Sequence, residues 1–414
     1  VTPTPATRPR YAISQPRVLI VCAVSQLLVI LDTSVLSVAT PQIGSELGFS
    51  PVSLQLIANS YTAALAATIL LMGRIADRFG RRRILVGGLV LFGFASLVGG
   101  LAPTQAVFLI ARIFQGFASA GIVASNLALL VECFPEKPAR LRAIGIWGAA
   151  GGSGGAIGAL LGGIAVEHAS WRVALLVNVP VVLTLLLGPM RRTGRDHITG
   201  GGATGSAGGF LIPTRLFKKR GVLTAAAIMF VGGGAIASAF YFITLHLQLS
   251  EGFGPLQTGL MFLPLSLAVL ATGGQSTRIQ LRLGARRALQ LATLLMFFGL
   301  GITAALFAAS LPLAGAFSSA IFGVGVSLVL SGTASVATGH VDPADAGSVS
   351  GMIATSQHFG AVLILAALVW LSTKLSLPLA TQGEYLLPLL CAAAVCLIAL
   401  LLTPGIPRGR NNQR

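Results

Sequence analysis

Two ionisable residues stand at positions that water should not reach. Asp32 lies inside the uncharged run that starts at Val18, within the string LDTSVLSVATP ending on Pro41, and Arg112 lies inside LIARIFQGFASAG. Gln115 follows Arg112 by three residues and falls roughly on the same helical face. A carboxyl group in hydrocarbon is costly unless solvated or paired, and burial favours its protonated form, so such a group can exchange protons near neutral pH. Proton coupling or recognition of a cation is one reading of Asp32; a structural carboxylate bonded to neighbouring helices is the other. Arginine cannot discard its charge. Arg112 therefore needs an acceptor, either Asp32 or a backbone carbonyl, and a purely structural arginine is the alternative. Two histidines, His246 and His358, also fall in apolar runs, where a neutral imidazole bonds a substrate, relays a proton or is simply packed. Asn59, Tyr61, Gln115, Asn126, Tyr241, Gln248 and Gln357 are polar or aromatic groups at the same depth and are candidates to line a substrate cavity.

Other chemistries find no support. There is no HExxH, no GxSxG and no dense cluster of carboxylates or histidines, so neither an enzyme nor a metal site is expected. None of the lysines completes the Gly-Lys-Ser/Thr of a phosphate-binding loop. Cys22, Cys133, Cys391 and Cys396 show no CxxC spacing and read as small hydrophobes rather than ligands or disulfides. No cofactor is called for, and energy would come from an ion gradient, protons first, or from the substrate's own gradient.

The elements that must position these residues are membrane-spanning helices. Of 414 residues, 54% are hydrophobic and 9% charged, against about a quarter charged in soluble domains. Uncharged runs predict spans at 18–39, 52–72, 84–102, 104–131, 144–166 and 172–190, then at 221–247, 257–275, 288–309, 312–337, 348–371 and 385–403. Runs of this length cross as helices rather than as the short alternating strands of a barrel. The polar residues 1–17 and the length of the run after them predict no cleavable leader. The net charge of +17 is spread over short clusters between spans, which is topological and does not suggest nucleic acid. With the N-terminus in the cytoplasm, all of the 28 Lys and Arg residues fall on the cytoplasmic side except Arg112, Arg172 and Lys374. An even number of spans with both termini cytoplasmic follows. The abundance of Arg over Lys, with many Ala and Gly, suggests a GC-rich bacterial genome and hence a bacterial plasma membrane.

The longest polar stretch, 191–220, holds GGGATGSAGG and then LFKKR, and reads as a flexible cytoplasmic linker. It divides the chain into a segment 1–17, a six-helix bundle 18–190, a second bundle 221–403 and a tail 404–414. The halves echo each other: GRIADRFGRRR at Gly73–Arg83 follows span two and TRIQLRLGARR at Thr277–Arg287 follows span eight, which suggests duplication.

Gly73, Arg74, Asp77, Arg78, Gly80, Arg81 and Arg82 resemble the loop motif between helices two and three of the major facilitator superfamily. Span one resembles the first-helix motif of its drug:proton antiporters, more narrowly the fourteen-helix branch, and the span holding Arg112 resembles that family's helix-four motif. Span five carries Gly151, Gly155, Gly158, Gly162 and Gly163, a spacing that lets another helix approach closely. Continued through WRVALLVNVP, it resembles the antiporter motif. One departure is that Ala159 follows Gly158 where the family has proline, which puts the family's gating kink in doubt. The second half is similar to the same branch across LHLQLSEGFGPLQTGLMFLP and DAGSVSGMIATSQHFGA. That branch has two further central helices, and here only the linker stands in their place.

The resemblance implies an all-α membrane protein with the major facilitator fold, twelve helices in two bundles working by alternating access. It implies a latch at the Gly73 to Arg82 loop, proton transfer linked to Asp32 and Arg112, and proton-driven export of drugs or antibiotics. The expected partners are the lipid bilayer, a small amphiphilic substrate and protons, with the chain acting as a monomer. An importer or facilitator of a small polar metabolite stays open as the second reading, kept alive by the missing proline.

Overall fold

The computed structural model describes residues 15–50, 53–188, 216, 218–338, 341, 346–374 and 385–406, and among these there is helix but no strand. Before the linker lie α1 (Gln15–Leu47), α2 (Leu56–Phe79), α3 (Arg81–Gly100), α4 (Gln105–Cys133), α5 (Lys137–His168), α6 (Trp171–Leu176) and α7 (Asn178–Leu187). After it come α8 (Arg220–Leu245), α9 (Pro255–Met261), α10 (Leu263–Gly273), α11 (Ser276–Leu283), α12 (Ala285–Ala308), α13 (Pro312–Thr338), α14 (Ala346–Lys374) and α15 (Leu386–Leu402). Lipid offers the backbone no hydrogen bonds, so each segment satisfies its own. Among the described residues 11 helical stretches are long and apolar enough to cross a membrane, and Trp171–Leu187 adds a shorter apolar one.

That shorter stretch replaces the sixth predicted span, 172–190. Pro180 supplies no N–H to the turn before it, and the helix divides at Val177 into α6 and α7. The eighth predicted span divides similarly at Phe262, ahead of Pro264. The first is longer than predicted, running through Pro41 to Leu47. The predicted loop after span two is also mostly helix: Gly73, Arg74, Asp77 and Arg78 lie on the last turns of α2, and the chain turns only at Gly80. Nearly all of the predicted linker, the N-terminal segment up to residue 14 and the tail from residue 407 lie outside the described residues.

Polarity is inverted relative to a soluble protein. Large apolar side chains such as Phe317 at 70% and Leu401 at 77% exposure cover the outside, while Asp32, Arg112, Gln115 and Asn178 are fully buried. Helix packing goes through small residues. A Cβ at Gly158 would come within 2.8 Å of the Leu31 carbonyl, and one at Gly162 within 2.8 Å of the Val35 Cα, so α5 lies directly on α1. The next position round, Gly163, faces Leu256 of α9 in the same way, at 2.7 Å from its Cα. Thus one edge of α5 packs on α1 and the other reaches the helices after the linker. Contacts across the linker also run between α2 and α14, between α5 and α10, and between α1 and α8.

The internal echo is visible in the backbone. Gly80 between α2 and α3 has φ 99°, and Gly284 between α11 and α12 has φ 76°, a region that side chains other than glycine rarely occupy. The same turn thus stands in the same place in both halves.

Candidate functional site

Four helices converge on Asp32. It sits on the face of α1 that packs against α4, and Arg112 of α4 donates through Nη1 to Asp32 Oδ2 at 2.6 Å. The same nitrogen donates to Gln115 Oε1 at 2.7 Å, one turn further along α4. The other carboxylate oxygen, Asp32 Oδ1, accepts from Asn178 Nδ2 at 2.7 Å and from Gln115 Nε2 at 3.3 Å. Ser96 of α3 lies beneath, its Oγ accepting from Gln115 Nε2 at 2.7 Å and from Asn178 Nδ2 at 3.2 Å. The face of Tyr61 on α2 covers the guanidinium at 4.4 Å from ring centre to Cζ, a cation–π contact. Tyr61 is held there by its hydroxyl, which donates to Ser119 Oγ at 2.8 Å.

Each partner is placed by local structure. Gln115 is where an i to i+3 step on α4 must put it, beside Arg112. Asn178 is the first residue after the break between α6 and α7 and turns its amide inward. Gly116 lets α2 approach α4, since a Cβ there would run into the Tyr61 carbonyl. With Asp32 at 2% and Arg112 at 1% exposure, the ion pair is dry. A charge pair of this kind is tolerated because each charge has several bonds, and removing one partner strands the other. Two polar atoms in the ring, Arg112 Nε and Asn178 Oδ1, have no hydrogen-bond partner among the described residues.

The other candidates are dispersed. Asn126 joins α4 to α1, bonding Ser25 Oγ at 3.0 Å and the Cys22 carbonyl at 3.3 Å, and is buried in that interface. Asn59 bonds Gln55 Oε1 at 3.3 Å on its own helix. Tyr241 packs edge-on against Phe242 at 5.2 Å. His246 is buried against Phe307, and Gln248 donates to the Val38 carbonyl of α1 at 2.9 Å. Gln357 and His358 are half-buried on α14, where Gly233 of α8 meets the Gln357 carbonyl.

In the basic turn, Arg81 reaches back to Asp77 Oδ1 at 3.0 Å and forward to Glu132 Oε2 at 3.4 Å and the Ala128 carbonyl at 3.0 Å. These pairs run among α2, α3 and α4. Arg78 lies over Phe79, 5.6 Å from its ring centre. In the matching turn of the second half Leu281 stands where Asp77 does and Ala285 where Arg81 does, so that turn lacks this pair. Ser96, Ser119 and Glu132 complete the two clusters without any signal in the sequence, and Asn178 does so from within the string WRVALLVNVP.

The model of the Major Facilitator Superfamily matches residues 22–365. The chain belongs to the major facilitator superfamily. Among its relatives, the cephamycin export protein CmcT of Amycolatopsis lactamdurans is 32% identical over 94% of this chain and 92% of its own. The puromycin resistance protein pur8 of Streptomyces alboniger is 31% identical over 86% of this chain and 81% of its own. A solved bacterial homologue of the human lysosomal transporter Spinster, inward-facing and unoccupied, superposes with a TM-score of 0.76 over 97% of this chain and 98% of its own, at 16% identity. That last likeness is one of fold. The superfamily and the run of apolar helices make this a multi-pass membrane transporter.

Proposed function

We propose that the chain is a proton-coupled exporter of drug-like, amphiphilic compounds, working by alternating access in a bacterial plasma membrane with both termini cytoplasmic. The observation that carries the coupling is the buried Asp32–Arg112 pair with its ring of neutral donors. A carboxylate that takes up a proton here loses its attraction for Arg112, and the guanidinium then leans on Gln115 and the Tyr61 face. Such a change of partners at the junction of α1, α2, α3, α4 and α7 is the kind of two-state element that a transport cycle needs. The direction of transport and the amphiphilic substrate class are inferred from the relatives, whose names speak of cephamycin export and puromycin resistance. The orientation follows from the placement of basic residues. In that orientation Gly80 and Gly284 would lie on the inner side and the C-terminal ends of α1, α5 and α8 on the outer side.

The test uses puromycin and a cephamycin as probes. Wild type and the Asp32→Asn variant are compared for growth protection in an efflux-deficient host, and for probe accumulation in inverted vesicles with and without an imposed pH gradient. Gradient-dependent accumulation that Asp32→Asn abolishes is the expected result. Undiminished uphill transport by the variant overturns the coupling role of Asp32. Counterflow indifferent to the pH gradient overturns proton-driven export in favour of facilitation.

A further inference from the structure

At the outer end of α8 the helix widens. His246–Ser250 form a π-helical turn of 5 residues, in which the Glu251 N–H donates to the His246 carbonyl at 3.1 Å. Such turns are uncommon and are frequent at functional sites. This one holds His246 at 1% exposure, with neither ring nitrogen hydrogen-bonded among the described residues. An imidazole packed only as a hydrophobe would leave two polar atoms unmet, which is costly. Around the ring stand two groups that a charged imidazole would use. Glu251 Oε1 lies 3.5 Å from Nε2 at the ring edge, and the ring of Phe307 is stacked on its face with centres 4.9 Å apart and planes at 19°. Gly315 of α13 makes room for that ring, since a Cβ there would strike it.

We infer that His246 and Glu251 form a second proton-binding site, in the C-terminal helices and at the outer face, separate from Asp32. Uptake of one proton by His246 converts a long neutral contact into a charged hydrogen bond to Glu251, and puts a cation on the Phe307 face. Both ring nitrogens then become donors, and Nε2 gains an acceptor in the Glu251 carboxylate, while Nδ1 has none among the described residues. The charged groups around the ring are few. α9 carries none, α12 carries only Arg286 and Arg287 at its opposite end, and α13 carries none. α8 carries Arg220 at its opposite end, and Tyr241, five residues back, is its next titratable group. Among the described residues of these elements Glu251 is the charge that faces His246, while α1, which Gln248 meets, carries Glu46 and α5 carries Glu167 toward the same end.

The site is also placed to be felt across the molecule. Gln248, inside the same turn, donates to the Val38 carbonyl of α1 at 2.9 Å, and beside it Glu167 of α5 accepts from the Leu256 N–H at 2.9 Å. Those bonds hold the helices before and after the linker together at the outer end. Closing the His246–Glu251 contact tightens the turn that carries Gln248, so outer acidity acts on the outer contact. The assignment goes beyond the export reading and survives its failure, because proton binding by His246 needs no substrate.

The test is a direct titration in nanodiscs of protein carrying nitrogen-15 histidine, of which the chain has 5. The His246 resonances are assigned by their loss in His246→Gln, and Glu251→Gln, isosteric and at a side chain 21% exposed, serves as the milder variant. The expected result is a His246 titration within the range pH 4 to 8 whose midpoint moves to lower pH in Glu251→Gln and stays in place in Asp32→Asn. In parallel, spin labels at Ser45→Cys and Ser310→Cys, in a background without the native cysteines, report the outer separation of the halves. That distance should change with the same midpoint, and His246→Gln should flatten the change. A His246 signal that does not titrate in that range, or a midpoint indifferent to Glu251→Gln, overturns the site. A titration without any matching distance change overturns its link to the outer contact.

Discussion

Removing the charge of Asp32 should destabilise the protein by an amount set almost wholly by Arg112. With charge centres roughly 4 Å apart and an effective dielectric of about 20, their attraction is about 4 kcal/mol. Asp32→Asn deletes that term and keeps one acceptor. If the new amide oxygen faces Arg112, its NH2 is turned toward Gln115 Nε2 and Asn178 Nδ2, which are donors already within 3.3 Å and 2.7 Å of that position. Stranding one member of a buried pair costs about 3–5 kcal/mol, and the donor clash falls within that figure. Arg112→Gln should cost a similar amount by stranding the carboxylate. In the double variant neither charge is stranded, so the loss should fall short of the sum by about 2–3 kcal/mol. Equilibrium unfolding by sodium dodecyl sulfate titrated into detergent micelles gives all the corners of this cycle. Strict additivity would refute the reasoning, since it would mean that Arg112 is carried by Gln115 and Tyr61 without help from Asp32.

The Arg81 cluster should behave differently, because Arg81 and Glu132 are a third and a quarter exposed: Glu132→Gln should shift stability by no more than about 1 kcal/mol. Arg81→Ala, which also gives up the pair with Asp77 and the bond to Ala128, should lower the melting temperature further, and equal melting temperatures for the two variants would show both of these to be idle. Gly163→Leu would drive its side chain into the Leu256 backbone, costing about 1–3 kcal/mol and opening the outer distance between labels on α5 and α9; an unchanged distance would show that the contact is not close in solution.

The helical spans, the repeat of a basic, glycine-bearing segment in both halves and the depth of Asp32 and Arg112 were legible because in an apolar run a charge has nowhere to hide. That Gln115 shares a face with Arg112 follows from a three-residue step, but its place beside Asp32 rather than in a substrate cavity does not. Depth could be read, but facing could not. Lipid is as apolar as a helix interface, so the periodicity that marks a buried face in water is weak here, and Asn126 and Asn59, chosen for depth, turned out to join helices or bond their own. Ser96 and Ser119 carry no signal at all, since serine is common in membrane helices and bonds its own backbone readily. Asn178 stood within a recognised string, yet its aim at Asp32 depends on the break ahead of Pro180. Boundaries failed where polar residues continue a helix past the membrane, as through Asp77 and Arg78, because a charged turn outside the lipid is no obstacle to helix.

Asn178 is also the partner best able to follow a proton on Asp32. The ring as it stands is matched to a carboxylate: Arg112, Gln115 and Asn178 are all donors toward it. A protonated Asp32 becomes a donor itself and needs an acceptor among them. Arg112 has none to offer, and Gln115 has its oxygen engaged by Arg112 and its nitrogen by Ser96. Of the three, Asn178 has the oxygen without a partner among the described residues, and half a turn of its amide would bring that oxygen to Asp32. Asn178→Leu should therefore cost about 1–3 kcal/mol when Asp32 is charged, through a lost donor, and should also move the infrared carbonyl band of protonated Asp32, identified by its absence in Asp32→Asn, toward that of a free acid. A band left where it stands in wild type would mean that the proton is received by some other group, and Asn178 would then be a structural brace between α7 and α1.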